Sequence, residues 1–171
     1  MYYNYHIMNI EIIYYVLPPL LVALLLGGLI GVERTLAGKT AGVRTYALVS
    51  MGSALFILVS RLLQNSSGDI DPLKVAPAIL TGIGFIGAGL VFHQGNKITG
   101  LTSAAGLWVS GGIGLACGFG RYDMAILVSV LTVLVFTAFW LIESKFLKKV
   151  SYDRLIMQHK YKDDDDRETI D

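Results

Sequence analysis

The chain has 171 residues, 54% hydrophobic and 16% charged, with nineteen glycines and a net charge of +1. That composition excludes an ordinary soluble domain and predicts an all-α, polytopic membrane protein. The near-neutral balance excludes a nucleic-acid binder, which needs a concentrated basic face, and the single cysteine, Cys117, excludes an intramolecular disulfide or a cysteine metal cage.

Residues 1–12 lack the positively charged start and small-residue cleavage site of a signal peptide, so they are expected to be an extracytoplasmic segment before a retained helix. Runs near 13–32, 45–64, 73–92, 101–119 and 122–142 each approach the roughly 20 apolar residues that a helical span needs. They predict five transmembrane helices in one domain over 13–143. Pro18, Pro19 and Pro77 are expected in first helical turns, where a missing N–H is tolerated. The breaks, "ERTLAGKTAG", "QNSSGDIDP", "HQGNKITG" and "GFGRYD", carry turn or polar chemistry. Arg34, Lys39, Arg44, Lys97 and the tail from Lys145 to Arg167 fall on one side of such a five-helix array; Arg61, Lys74 and Arg121 fall on the other. Short basic loops stay cytoplasmic, so the N-terminus is expected outside and the C-terminus inside. Residues 144–171 form a basic and then acidic cytoplasmic tail.

The first break carries the densest early charge. Glu33 and Arg34 end the first helix, and Arg44 and Thr45 begin the second. Arg34, Lys39 and Arg44 serve orientation and lipid head groups. Glu33 contributes little to topology and needs a partner near hydrocarbon. Arg44 is the expected one, across a hairpin whose Gly38 and Gly42 permit close approach; a cation or proton site at Glu33 is the functional reading, compatible with that pair.

In the second break, Asp69 and Asp71 precede Pro72. Two carboxylates suit a hard cation such as Mg²⁺, which makes Asp71 a weak metal candidate. A turn and helix start is the more ordinary role.

"TGIGFIGAG", residues 81–89, has the letters of a dinucleotide-binding fingerprint but no preceding strand or Rossmann unit. Gly84, Gly87 and Ala88 line one helix face while Gly82 and Gly89 line another, predicting a central third helix packed on two sides. Gly111, Gly114 and Gly118 repeat the pattern in the fourth helix. Tight packing is the plain reading of both stretches; a narrow solute path is the functional one. Trp108, near the middle of the fourth helix, is expected to be buried with its indole bonded to a neighbour, or to form a constriction on a path.

"GLIG" at 28–31 answers "GFIG" at 84–87, followed by Lys39 with Lys97, Gly42 with Gly100, Thr45 with Ser103 and Ala47 with Ala105. This suggests a parallel repeat of two helical hairpins about an axis along the membrane normal. Glu33, Arg34, Arg44 and Thr45 would then stand opposite His93, Lys97, Thr102 and Ser103. His6, His93 and His159 have no ligand partner at metal spacing, and no Ser/His/Asp, HExxH or P-loop pattern occurs, so neither an enzyme nor a cofactor beyond Mg²⁺ is expected.

Together, "GLIGVERTLAGKTAGVRTYALVSMGSALF", "DPLKVAPAILTGIGFIGAGLVF" and "GLTSAAGLWVSGGIGLACGFG" resemble the membrane domain of the MgtC/SapB family from about Gly27 to Tyr122. Family patterns map onto Glu33, Arg34, Gly42, Arg44, Thr45, Asp71, Gly82, Gly84, Phe85, Gly87, Ala88, Gly89, Gly100, Leu101, Thr102, Ala104, Ala105, Trp108 and Gly118. Lys74 stands where arginine is common, and Ser103 where a second threonine is usual. The resemblance implies a multi-pass protein of a bacterial or archaeal cytoplasmic membrane, in a family some of whose members are tied to magnesium limitation, survival inside host cells and restraint of ATP synthase. Relatives with that phenotype commonly carry an ACT-like cytoplasmic domain; the about 28 residues after the last span read as a short form without it. Two functions are therefore expected as alternatives: a small cation transporter or channel-like protein, for Mg²⁺ or protons, and a non-transporting regulator docked on another membrane complex such as ATP synthase. Besides the bilayer, a homo-oligomer, with a dimer favoured, is expected because small-residue helix faces need covering.

Overall fold

The structure, a computed structural model, describes residues 5–67, 71–94 and 97–142. Its elements are α1 (Tyr5–Leu36), α2 (Val43–Ser67), a 3-10 turn (Pro72–Lys74), α3 (Ala76–Ala88), strands β1 (Phe92–Gln94) and β2 (Lys97–Thr99), and α4 (Leu101–Gly118). A further helix, α5, covers Tyr122–Ile142. The chain divides into two compact units, Met1–Val133 and Leu134–Asp171. The first holds α1 to α4 and the opening turns of α5. Of the second, Leu134–Ile142 are described, helical and largely exposed. The tail expected at 144–171 lies outside the described residues.

The protein is an all-α membrane protein. Four helices, at Ile12–Leu36, Val43–Gln64, Leu101–Gly118 and Tyr122–Ile142, are long and apolar enough to cross a membrane. The third differs from the expected span at 73–92: only thirteen residues are α-helical, about 20 Å at 1.5 Å per residue. Its backbone turns at Gly89 to Val91, where Leu90 N–H bonds Gly87 O and Val91 N–H bonds Ala88 O. It then enters the antiparallel β1–β2 hairpin, with His93 opposite Ile98. Gly100 closes this connection in a left-handed conformation, φ 88°, where an added Cβ would fall 1.8 Å from the Leu90 oxygen. Only a residue without a side chain fits. The first helix also differs, because it starts at Tyr5 and places Pro18 and Pro19 in its interior rather than its first turn. Each interior proline removes one backbone N–H bond.

Helices α1, α2 and α4 form the packed centre. Gly27 of α1 approaches Tyr46 and Ser50 of α2 so closely that a Cβ would meet them at 2.6 and 2.7 Å; at Gly31 it would lie 2.5 Å from the Val43 Cα. On α4, Gly114 lies against Ser50 and Ser53, and Gly118 against Ala54 and Ile57. These contacts let backbones meet without intervening side chains, the usual means of holding helices together where lipid removes the hydrophobic drive. They also show α2 and α4 running in the same direction, as the parallel repeat expects. Ile30, Ala54, Ile57, Leu58, Leu107 and Ile113 fill the remaining centre.

Helix α3 is peripheral, not central as its glycines predict. It leans on α4 through Gly87, close to Ala104, and through Ile83, against Gly111. Gly82 and Gly84 have no atom within 4 Å of an added Cβ, and Phe85 is 84% exposed. Sequence spacing counts faces; it does not say which faces are covered.

Both helix ends that lead into short connections use the same device. After α1, Gly38 (φ 65°) donates to Thr35 O at 3.0 Å and Lys39 to Arg34 O at 2.9 Å; after α4, Gly120 (φ 77°) donates to Cys117 O at 2.9 Å and Arg121 to Ala116 O at 2.8 Å. Each is a Schellman closure, in which a left-handed glycine lets the chain bond back onto the last helical carbonyls. The second leaves the Gly118 carbonyl over. Arg61 Nη1 of α2 donates to it at 2.9 Å, with its guanidinium 5.6 Å from the Tyr15 ring centre. One cation thus ties α1, α2 and the negative end of the α4 dipole together.

Candidate functional site

The polar features gather where α1 ends and α2 and α4 begin. Glu33 and Arg34 are neighbours on the last turn of α1, and their side chains pair directly: Arg34 Nε donates to Glu33 Oε2, and Nη2 to Oε1 at 2.6 Å. The pair is shielded, with 4% of the Arg34 side chain and 18% of the Glu33 side chain exposed. This corrects the expected Glu33–Arg44 pair, since Arg44 is exposed on the first turn of α2. A threonine closes the hairpin instead. Thr35 Oγ1 accepts the Val43 N–H at 3.2 Å and donates to Gly31 O at 2.9 Å, while Gly42 leaves room for that hydroxyl. It satisfies an otherwise orphaned donor at the start of α2.

Directly below lies Tyr46, fully buried. Its hydroxyl donates to the Ser103 carbonyl at 2.9 Å, and its own carbonyl accepts the Ser110 hydroxyl, also at 2.9 Å. One α2 residue therefore grips α4 at two points, two helical turns apart. Deeper along the same α2 face lie Ser50, Ser53 and Ser60, all buried. Ser53 turns its hydroxyl onto the Val49 carbonyl at 2.8 Å. The α2–α4 seam is thus a row of hydroxyls running inward from the Glu33–Arg34 pair, and it is closed by Gly114 and Gly118.

The other expected site residues fall into separate places. Ser103 is buried beneath Tyr46, Thr45 is half-buried, and Thr102 is exposed. Trp108 faces outward at 51% exposure, so it neither fills the core nor constricts a path in this chain. Gly111, Gly114 and Gly118 are packing residues; Gly87 packs on Ala104; Gly82 faces open space. Gly84 does the same, and Gly89 ends α3 as its C-cap. Asp71 caps the 3-10 turn through Leu73 N–H at 3.0 Å, far along the chain from Glu33, and Asp69 lies outside the described residues. Among the described residues no three His, Cys, Asp or Glu side chains gather to hold a metal.

Between α2 and α3 lies a groove of about 630 Å³, lined by apolar side chains such as Leu48, Phe56, Ile79 and Ile86, with Gly52 and Gly82 on its walls. It adjoins the seam along α2, since Ser53 lines the groove and also lies against Gly114. Sequence reasoning passed over Tyr46, Ser50, Ser53, Ser110 and Arg61. The available signal was polar residues at 46, 50, 53 and 60, a helical stripe inside an otherwise apolar span.

The MgtC family pattern matches residues 20–145. A protein of Escherichia coli strain K12, named "Putative magnesium transporter YhiD", is 41% identical over 135 residues, which is 76% of this chain and 63% of that protein. Proteins named MgtC from Brucella abortus strain 2308 and Salmonella typhimurium strain 14028s are 45% and 46% identical, each over 66% of this chain. The matched stretch is 46% and 47% of those two proteins, so the chain spans about half to under two thirds of these relatives. No solved structure matches it.

Proposed function

The chain belongs to the MgtC family, and from that premise we propose that it serves magnesium homeostasis as a small, non-enzymatic transporter of a cation, Mg²⁺ or a proton. The observation that carries this reading is the buried hydroxyl row, which leads from the shielded Glu33–Arg34 pair between α2 and α4. Hydroxyls inside an apolar span offer oxygen to a passing cation or a relay to a proton. Glu33 is the group that would receive the cation at the mouth, with Arg34 setting its charge balance. The membrane is the cytoplasmic one of a bacterium or archaeon, with the Glu33 end in the cytoplasm.

Flux of Mg²⁺ and of protons into liposomes containing the purified protein tests this directly. Wild-type protein is expected to carry one of them, and folded Glu33→Gln protein to lose it; a well-folded but silent wild type overturns the reading. One observation favours a second role, as a regulator docked on another membrane protein: the α2–α3 groove is apolar and open, a surface for a partner rather than for an ion. Silence together with stoichiometric capture of one membrane partner would support that role. A homodimer is proposed under either reading, and mass measurement in detergent giving monomer alone removes it.

A further inference from the structure

Three helices converge on one backbone oxygen, the Tyr46 carbonyl. Within α2 it accepts the Ser50 N–H, as helix geometry dictates. From α4 it accepts the Ser110 hydroxyl at 2.9 Å, and Gly27 of α1 closes over it, leaving no room for a Cβ. Two donors occupy its two lone pairs. A serine or threonine inside a helix ordinarily turns its hydroxyl onto the carbonyl one turn back. Thr35, Ser53, Thr81, Ser129 and Thr132 all do so here. For Ser50 that carbonyl is Tyr46, already filled. The Ser50 hydroxyl is wholly buried and has no partner among the described residues.

We propose that Ser50 and Ser110 are alternative donors to the Tyr46 carbonyl, and that they form a two-position latch between α2 and α4. In the closed position described by this structure, Ser110 holds the carbonyl and Ser50 is stranded. When α4 withdraws, Ser50 takes the carbonyl and Ser110 turns onto that of Gly106, one turn back on its own helix. Both hydroxyls are then satisfied. Closing strands the Ser50 hydroxyl, and opening takes the Tyr46 hydroxyl off the Ser103 carbonyl, so each position leaves one hydroxyl without its seam partner and the seam is poised rather than locked. Gly114 and Gly118, together with the Tyr46 hydroxyl on Ser103, hold it shut. The latch does not depend on what, if anything, the protein carries.

Cys117, the one cysteine of the chain, is buried in α4 and reports opening without further engineering. The measurement is its labelling rate by a small membrane-permeant maleimide, in the full-length protein in liposomes. Removing the stranded hydroxyl by Ser50→Ala relieves the closed position alone and is expected to slow labelling about fivefold, the effect of one buried hydroxyl left unpaired. In a Ser110→Ala background Ser50 already owns the carbonyl in both positions, so the same substitution is expected to leave the rate unchanged. Equal slowing in both backgrounds, or faster labelling of Ser50→Ala in the wild-type background, overturns the latch. If Ser110→Ala does not fold, Ser50→Ala still decides by sign. A merely structural serine loosens the seam when removed, whereas a competing donor tightens it.

Discussion

The seam between α2 and α4 and the groove between α2 and α3 share one helix and the same residue vocabulary, yet one is closed to atomic contact and the other is open. At the seam, a Cβ on Gly114 would lie 2.0 Å from the Ser50 backbone oxygen. At the groove, a Cβ on Gly82 would meet nothing. The difference lies in what stands opposite. The seam has polar anchors, Tyr46 with Ser103 and Ser110, and Arg61 with Gly118, which fix α4 against α2. Helix α3 has Asp71 capping the turn before it and Gly100 closing the hairpin after it, but among the described residues no side-chain bond ties it to α2. A glycine-rich helix packs where hydrogen bonds hold it in place, and stays on the surface where they do not.

The sharpest way to break this comparison is to add one methyl group on each side. Gly114→Ala forces backbone apart at the seam and is expected to cost about 3 kcal/mol or more, the upper range for overpacking a tight core. Gly82→Ala meets open space and exchanges a poor helix former for a good one, so it is expected to be neutral or to stabilise by up to about 1 kcal/mol. Thermal unfolding of both variants in one detergent checks the pair. Similar losses at both positions would mean that the groove is occupied in the assembled protein.

Arg61 is the next largest. Arg61→Leu keeps bulk but leaves the Gly118 carbonyl without its charged donor, and a loss of about 1.5–3 kcal/mol is expected. Tyr46→Phe removes only the neutral bond to the Ser103 carbonyl and is expected to cost about 1 kcal/mol. The order Arg61→Leu before Tyr46→Phe, read as the fall in unfolding temperature, tests whether the seam is anchored more firmly at its α4 C-terminal end than at its charged mouth.

Much of this architecture was legible in the sequence, and the reasons for the exceptions are physical. The second, fourth and fifth helices fall within about three residues of their expected bounds, because apolar length and breaks at glycine, proline and polar residues are local properties. Family membership was readable from "GLIGVERTLAGKTAGVRTYALVS" and the two stretches after it. The fate of each glycine was not, because Gly82 and Gly114 both sit in glycine-rich helices and what separates them is a contact distant in sequence, with Ser50 and Ser53 against Gly114 and nothing against Gly82. Trp108 was misplaced for the same reason: its depth along α4 was right, but its direction around the helix axis depends on α2 and α3. The start of α1 was missed because "YHIMNIEIIYY" is less apolar than a span, yet it continues the helix beyond one.

The smallest expected effect bears on the charged mouth. The eight-residue chain from Glu33 to Thr40 makes an Arg44 partner for Glu33 look natural, but the helix runs on to Leu36 and the Gly38 closure turns the chain away, leaving Arg34 as the nearer cation. Arg44→Ala is therefore expected to change stability by less than about 0.5 kcal/mol, as for other exposed positions. In a double-mutant cycle with Glu33→Gln its coupling should fall within about 0.3–0.5 kcal/mol of zero, the range found for independent sites. Arg34→Ala strands a shielded carboxylate instead, and its coupling to Glu33→Gln should be several times larger. If Arg44 were to show the larger coupling, the mouth would close by an ion pair across the hairpin. Thr35, whose hydroxyl joins the two helix ends through Gly31 and Val43, would then be a bystander.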